Sequence, residues 1–186
     1  IDDMIHIPIN DQLRDIWNWM YGGVNRANYI LEFKDKIDFP NKANVLGQAT
    51  FLRAYYYFEL VKFFGDVPLA VDHRLLFVDQ NTVDRTPAAE VYAQIELDLI
   101  YAADNLPLTQ TQTGRVTKGA AQALLGKVYL YQNKFALAAP VLDDVISSGV
   151  YDLVTDYSTI FENDNENNVE SVFEIQYTDV EGAGFG

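Results

Sequence analysis

Trp17, Trp19, Tyr21 and Asn25 form the group of side chains best suited to holding a ligand. A sugar ring lays its apolar C–H face on an aromatic ring while its hydroxyls need polar neighbours, and this run offers both. Trp17 shares a helical stripe with Met20 and Val24, which is a scaffold position. Trp19 points away from that stripe, so Trp19, Tyr21 and Asn25 are the expected ligand-binding residues. The alternative for Trp19 is packing against a neighbouring helix or loop. In Tyr55-Tyr56-Tyr57 adjacent side chains lie about 100° apart around a helix, so at least one hydroxyl needs water or a polar partner.

Catalytic chemistry finds less support. A glycosidase needs an acid and a second carboxylate about 5 to 9.5 Å apart in a cleft. Glu59 and Asp66 are close in sequence but separated by a helix end, and Glu162, Asp164 and Glu166 share a polar loop. No catalytic residue is assigned, and an enzyme is not expected. The same acidic loop lacks the spaced aspartates, central glycine and terminal glutamate of a calcium loop, so a solvated turn is expected. His6 and His73 have no partners at ligand spacing, and no glycine-rich phosphate cradle opens a helix. No metal and no cofactor is expected.

Composition narrows the classes further. The 186 residues suffice for one domain with a sizeable core, and 49% apolar content excludes wholesale disorder. Thirteen basic against 27 acidic residues give a net charge of -14, which disfavours nucleic acid and anionic lipid as partners. The absence of cysteine excludes disulfides and thiolate chemistry in this stretch. No run reaches the ~20 apolar residues of a membrane helix, and no signal peptide is present. The chain starts at Ile1 and ends in Gly182-Ala183-Gly184-Phe185-Gly186 after a strand-like run, so an interior excerpt of a longer protein is expected.

Helices must position these residues. The first is expected from Asp11 to about Lys36, with a possible bend at Gly22-Gly23, and the second from Lys42 to Phe64. The second carries two apolar stripes, Leu52, Tyr56, Leu60, Phe63 and Phe51, Tyr55, Phe58, Val61, and a helix apolar on two sides is wedged between neighbours. Gly65 suits its C-cap, and Pro68 stops continuation. Residues 68–84 show no period, apart from a short extended piece at Leu69-Ala70-Val71. Thr86-Pro87 is a start signal, with threonine as cap, for a third helix reaching Asn105. Pro107 to Arg115 reads as an exposed loop. Thr117 caps a fourth helix through Tyr131, and Asn133-Lys134 turns into a fifth that ends near Ser148, with Gly149 as its cap.

Leu125, Gly126, Tyr129, Ala138 and Leu142 fall at tetratricopeptide spacing, small where helices cross and large opposite. Gln122 and Val150 stand where that repeat has tryptophan and proline, so the match is partial. One such unit cannot bury its own face, and the other helices must stack with it. Beyond Tyr151 the period changes. Tyr157 to Phe161 is expected as a short helical turn, 162–168 as a polar loop, and Val169 to Thr178 as a strand with alternating faces.

Five stretches, in order, resemble the SusD/RagB family of outer-membrane nutrient-binding lipoproteins. They are Trp17–Tyr21 with Asn25-Arg26-Ala27-Asn28; the aromatic helix with Gly65-Asp66-Val67-Pro68-Leu69; Arg85-Thr86-Pro87 leading to Val91-Tyr92 and Ile95; Gly114-Arg115-Val116-Thr117-Lys118-Gly119-Ala120-Ala121 through Tyr129-Leu130-Tyr131; and Tyr151-Asp152-Leu153 with Tyr157, Phe161, Asn167 and Glu170-Ser171-Val172-Phe173-Glu174. The resemblance implies a mainly α, tetratricopeptide-like helical-repeat scaffold, here 1–150, followed in 151–186 by the start of the family's C-terminal region with its short β segment.

It also implies a non-catalytic protein on the outer face of the outer membrane. Such a protein lids a SusC-type TonB-dependent transporter and captures glycans, or peptides in some branches, for import. The membrane connection would run through a lipidated cysteine that this stretch does not contain. A peptide-binding tetratricopeptide adaptor is the alternative, favoured by a groove lined with asparagine and lysine. An exposed aromatic platform favours glycan capture.

Overall fold

The computed structural model describes residues 10–36, 38–76 and 83–176. Among them are five α-helices: α1 (Asp11–Glu32), α2 (Lys42–Phe64), α3 (Ala88–Asn105), α4 (Lys118–Tyr131) and α5 (Phe135–Ser147). Each packs on the next in sequence, and α2 also reaches α4. Its role is the one its two apolar stripes predict. Phe51, Phe58, Leu60 and Val61 are buried and meet α3 residues Val91, Ile95 and Leu99 in one core. The stripes are not the whole account, because Tyr57, which belongs to neither, is fully buried, whereas Phe63 in the last turn is exposed.

Local chemistry sets the helix ends. Asn10 Oδ1 accepts from the Leu13 N–H at 3.1 Å, and Thr117 Oγ1 accepts from the Ala120 N–H at 3.2 Å, each satisfying an orphan donor of a first turn. Gly65 closes α2 with φ +66°, a conformation in which a side chain would be strained. The start of α3 departs from expectation. Thr86 does not cap it. Its backbone forms an isolated antiparallel bridge with Val67, and Asp66 Oδ1 accepts from the Ala88 N–H at 2.8 Å. The exit turn of α2 thereby caps α3 and ties the two helices together.

Glycine marks the places where helices approach most closely. A Cβ on Gly23 would lie 2.3 Å from the Tyr56 ring, and one on Gly126 2.4 Å from Leu142. Gly23 therefore serves packing in an α1 that runs unbroken through both glycines. Gly126 against Leu142 is the small-on-large contact predicted for α4 and α5.

The expected strand from Val169 to Thr178 is corrected in its described part. Residues 169–176 form no strand, and Tyr177 and Thr178 lie outside the described residues. A strand needs a partner running beside it. Among the described residues this segment has one backbone bond to a distant part of the chain, Asp152 N–H to Val169 O at 3.1 Å, besides a local turn bond from Ser171 N–H to Asn168 O. It is anchored by side chains instead. Phe173 stands edge-on to Phe51 at 5.4 Å, and the Gln176 and Asn167 side chains bond each other. Short 3₁₀ turns at Tyr157–Thr159 and Asn163–Asn165 precede it.

Candidate functional site

The aromatic end of α1 divides cleanly. The Trp17 ring packs on Tyr21 at 4.8 Å and edge-on to Phe64 at 5.0 Å. Trp19 is 69% exposed, with its ring on the outer side of the helix. Tyr21 is buried, and its hydroxyl donates to the Pro68 carbonyl at 2.8 Å. Asn25 is half-buried and engages Leu75 with both ends of its amide: Nδ2 donates to the carbonyl at 2.8 Å and Oδ1 accepts the N–H at 2.9 Å. The three residues predicted together thus occupy two environments. Trp19 faces solvent, while Tyr21 and Asn25 grip the segment that follows α2.

That segment, residues 66–76, crosses α1 and α2 as an irregular strap, and polar side chains hold it throughout. Asn28 donates through Nδ2 to Ala70 O at 3.0 Å and His73 O at 2.9 Å. The Tyr57 hydroxyl accepts the Ala70 N–H at 2.8 Å and lies 3.2 Å from its carbonyl. Arg53 donates through Nη1 to Val71 O at 2.6 Å and to Asn28 Oδ1 at 3.0 Å. Its other face forms a fork with Asp98 of α3, Nε to Oδ2 and Nη2 to Oδ1, both at 2.7 Å. Gln94 Nε2 adds a bond to Asp98 Oδ1 at 2.8 Å.

Arg53 and Asp98 are only 5% and 4% exposed. Burying two charges is costly, and the cost is offset only when fork geometry and further hydrogen bonds satisfy both partners. Among the described residues no buried side-chain N or O lacks a partner. The clasp therefore acts as a rigid post linking α1, α2, α3 and the strap. Burial pushes the Tyr57 hydroxyl up to about 12, partly offset by its bond to Ala70 and by Arg53. Burial, reinforced by neighbouring Tyr57, pushes the Tyr21 hydroxyl further in the same direction.

The carboxylates weighed as catalysts have other partners. Glu59 binds Lys62 at 2.6 Å, and Asp66 caps α3. In the acidic loop Asn165 bonds Thr159 O and Asn168 bonds Asn165 O, and Asn167 ties the turn to Glu174 and Gln176. Among the described residues no cluster of His, Asp or Glu is placed to hold a metal ion, and no helix is long and apolar enough to cross a membrane. His6 lies outside the described residues.

Sequence reasoning missed the clasp, although two signals for it exist. Asp98 sits beside Leu99 on the buried side of α3, and Arg53 interrupts an apolar helix. A charge in such a place needs a partner.

The class so defined is a stacked-helix scaffold that presents an exposed aromatic ring and carries a side-chain-anchored strap. Residues 2–130 match the SusD-like family model described as "Starch-binding associating with outer membrane", and the chain belongs to that family. SusD-like protein P2 of Formosa agariphila is 33% identical over 95% of this chain and 36% of its own length. The solved structure of a laminarin-binding SusD-like protein superposes with a TM-score of 0.81 at 37% identity, over 92% of this chain and 39% of that one. Surface glycan-binding protein A from Bacteroides thetaiotaomicron, in complex with laminarihexaose, gives 0.77 at 30% identity, over 88% and 35%. The chain spans about a third of the length of the curated relatives it matches.

Proposed function

We propose that this chain is the scaffold portion, 1–150, with the start of the C-terminal region, 151–186, of a non-catalytic glycan-binding protein of the bacterial outer-membrane surface. The observation that carries the reading is the likeness of 92% of the chain, at 37% identity, to a protein that binds laminarin. In this reading the protein works with a SusC-type TonB-dependent transporter, and the helical stack serves as the contact platform. The membrane connection is a lipid anchor outside this stretch. Trp19 is the ring on which a sugar stacks. Tyr21 and Asn25 contribute by fixing the strap on the other side of α1.

The test is isothermal titration of the complete protein against a panel of polysaccharides and peptides, with Trp19→Ala in parallel. Saturable binding of a glycan, weakened in the variant at unchanged melting temperature, supports the proposal. Glycan binding that survives the change removes Trp19 from the site. Binding of a peptide and of no glycan promotes the peptide-uptake or adaptor reading.

A further inference from the structure

A cleft of about 510 Å³ opens between the end of α1, the first half of α2, the strap and α3. Its volume is that of a small-ligand site, which runs from about 300 to 1,000 Å³. Arg53 and Asp98 of the clasp line it, Gln94 and Tyr101 border it from α3, and Lys34 and Asp72 reach it from the turn after α1 and from the strap. This lining combines planar acceptors, planar donors and a partly exposed phenol ring, 38% accessible at Tyr101.

A carboxylate offers about four acceptor positions. Arg53 occupies two on Asp98 and Gln94 a third, which leaves one on Oδ2 among the described residues. Gln94 commits one amide N–H to Asp98, and among the described residues no bond reaches its carbonyl oxygen. The clasp holds these groups before any ligand arrives, so binding would not have to order them.

The acceptors left on Gln94 and Asp98, with the second Gln94 amide N–H and the Lys34 ammonium as donors, suit hydroxyl groups, which both donate and accept. We propose that this cleft is a carbohydrate subsite, taking a short stretch of glycan chain separately from Trp19. The assignment rests on the glycan-binding reading above. Tyr101 supplies the ring face, and Gln94 and Asp98 accept from hydroxyls.

The test titrates the complete protein with laminarihexaose and with the same polysaccharide panel, comparing wild type, Tyr101→Ala, Gln94→Ala and a control, Leu97→Ala. Leu97 is exposed on the same helix and does not line the cleft. Tyr101→Ala is expected to weaken binding about three- to tenfold, the range of a lost ring contact. Gln94→Ala should weaken it by a similar factor, while Leu97→Ala leaves it unchanged. Melting temperatures identify any variant whose loss comes from unfolding. Wild-type affinity in both cleft variants overturns the subsite and leaves glycan binding standing. Failure of the wild type to bind any glycan overturns both.

Discussion

Across α1, α2 and α3 a buried ion pair, two asparagines and a tyrosine hydroxyl join the helices and the strap beside an apolar core, whereas α4 and α5 meet through Gly126, Leu142 and Ala138. The first region adds a fully bonded polar clasp to its apolar core; the second is small-residue packing with no charge at its centre. The difference follows from what each region holds. Two regular helices satisfy their own backbones, so α4 and α5 need only fit together. Beyond the Val67–Thr86 bridge the strap has no backbone partner, and groups such as those of buried Ala70 would go unpaired unless side chains reached them. Polar chemistry is concentrated where irregular backbone has to be kept still.

The comparison is broken most directly at the ion pair. Asp98→Ala leaves the Arg53 charge buried without its fork and should lower stability by about 3 to 5 kcal/mol in denaturant unfolding. Replacing both partners by apolar residues, Arg53→Met with Asp98→Leu, should recover much of that loss. If the single and double variants are equally damaging, the fork is not the source of the cost.

The apolar contact responds to volume. Gly126→Ala places a methyl group against Leu142 and should cost about 1 to 3 kcal/mol by the same measurement. Adding Leu142→Ala should relieve the clash at the cost of a cavity, so the two effects will not add. Additive losses would place the helices farther apart than described here.

Tyr57→Phe deletes the partner of the Ala70 amide and should cost about 1 to 3 kcal/mol, the penalty of an unsatisfied buried group. It also has a pH signature. The hydroxyl is raised from 10.0 to about 12 in the folded protein, so its stabilising effect is complete below pH 10 and is lost as pH rises toward 12. Wild-type stability should fall across that window, and Tyr57→Phe should fall less steeply, with Tyr21 still titrating. Parallel curves would remove Tyr57 as a source of the alkaline loss. The smallest effect belongs to Ile146, 73% exposed on α5, where Ile146→Ser should change stability by no more than about 0.5 kcal/mol.

Much of this was legible in the sequence because it is local. Apolar period located all five helices, the Asn133-Lys134 turn separated α4 from α5, and the Leu125, Gly126 and Leu142 spacing foretold their contact. What escaped depends on residues far apart in the chain. Asn28 meets His73 and Arg53 meets Asp98 across 45 positions each, and no period encodes such pairs. The Val169–Thr178 reading failed for a related reason. Alternation describes which way side chains face, but a strand exists only where another lies beside it. Trp19 was legible as lying off the buried stripe, with packing against a neighbour left open, and the fold leaves its ring exposed. Tyr21 and Asn25 drew attention by type, and their engagement with Pro68 and Leu75 emerged only from the fold.

Native-state hydrogen exchange on the complete protein tests most directly the claim that side chains hold the strap. The Ala70 and Leu75 amides belong to no helix or strand, yet they donate to Tyr57 and Asn25. They should exchange as slowly as amides in the middle of α2, with Ala70 losing that protection in Tyr57→Phe. Exchange of both at the rate of an open loop in the wild type would contradict the account.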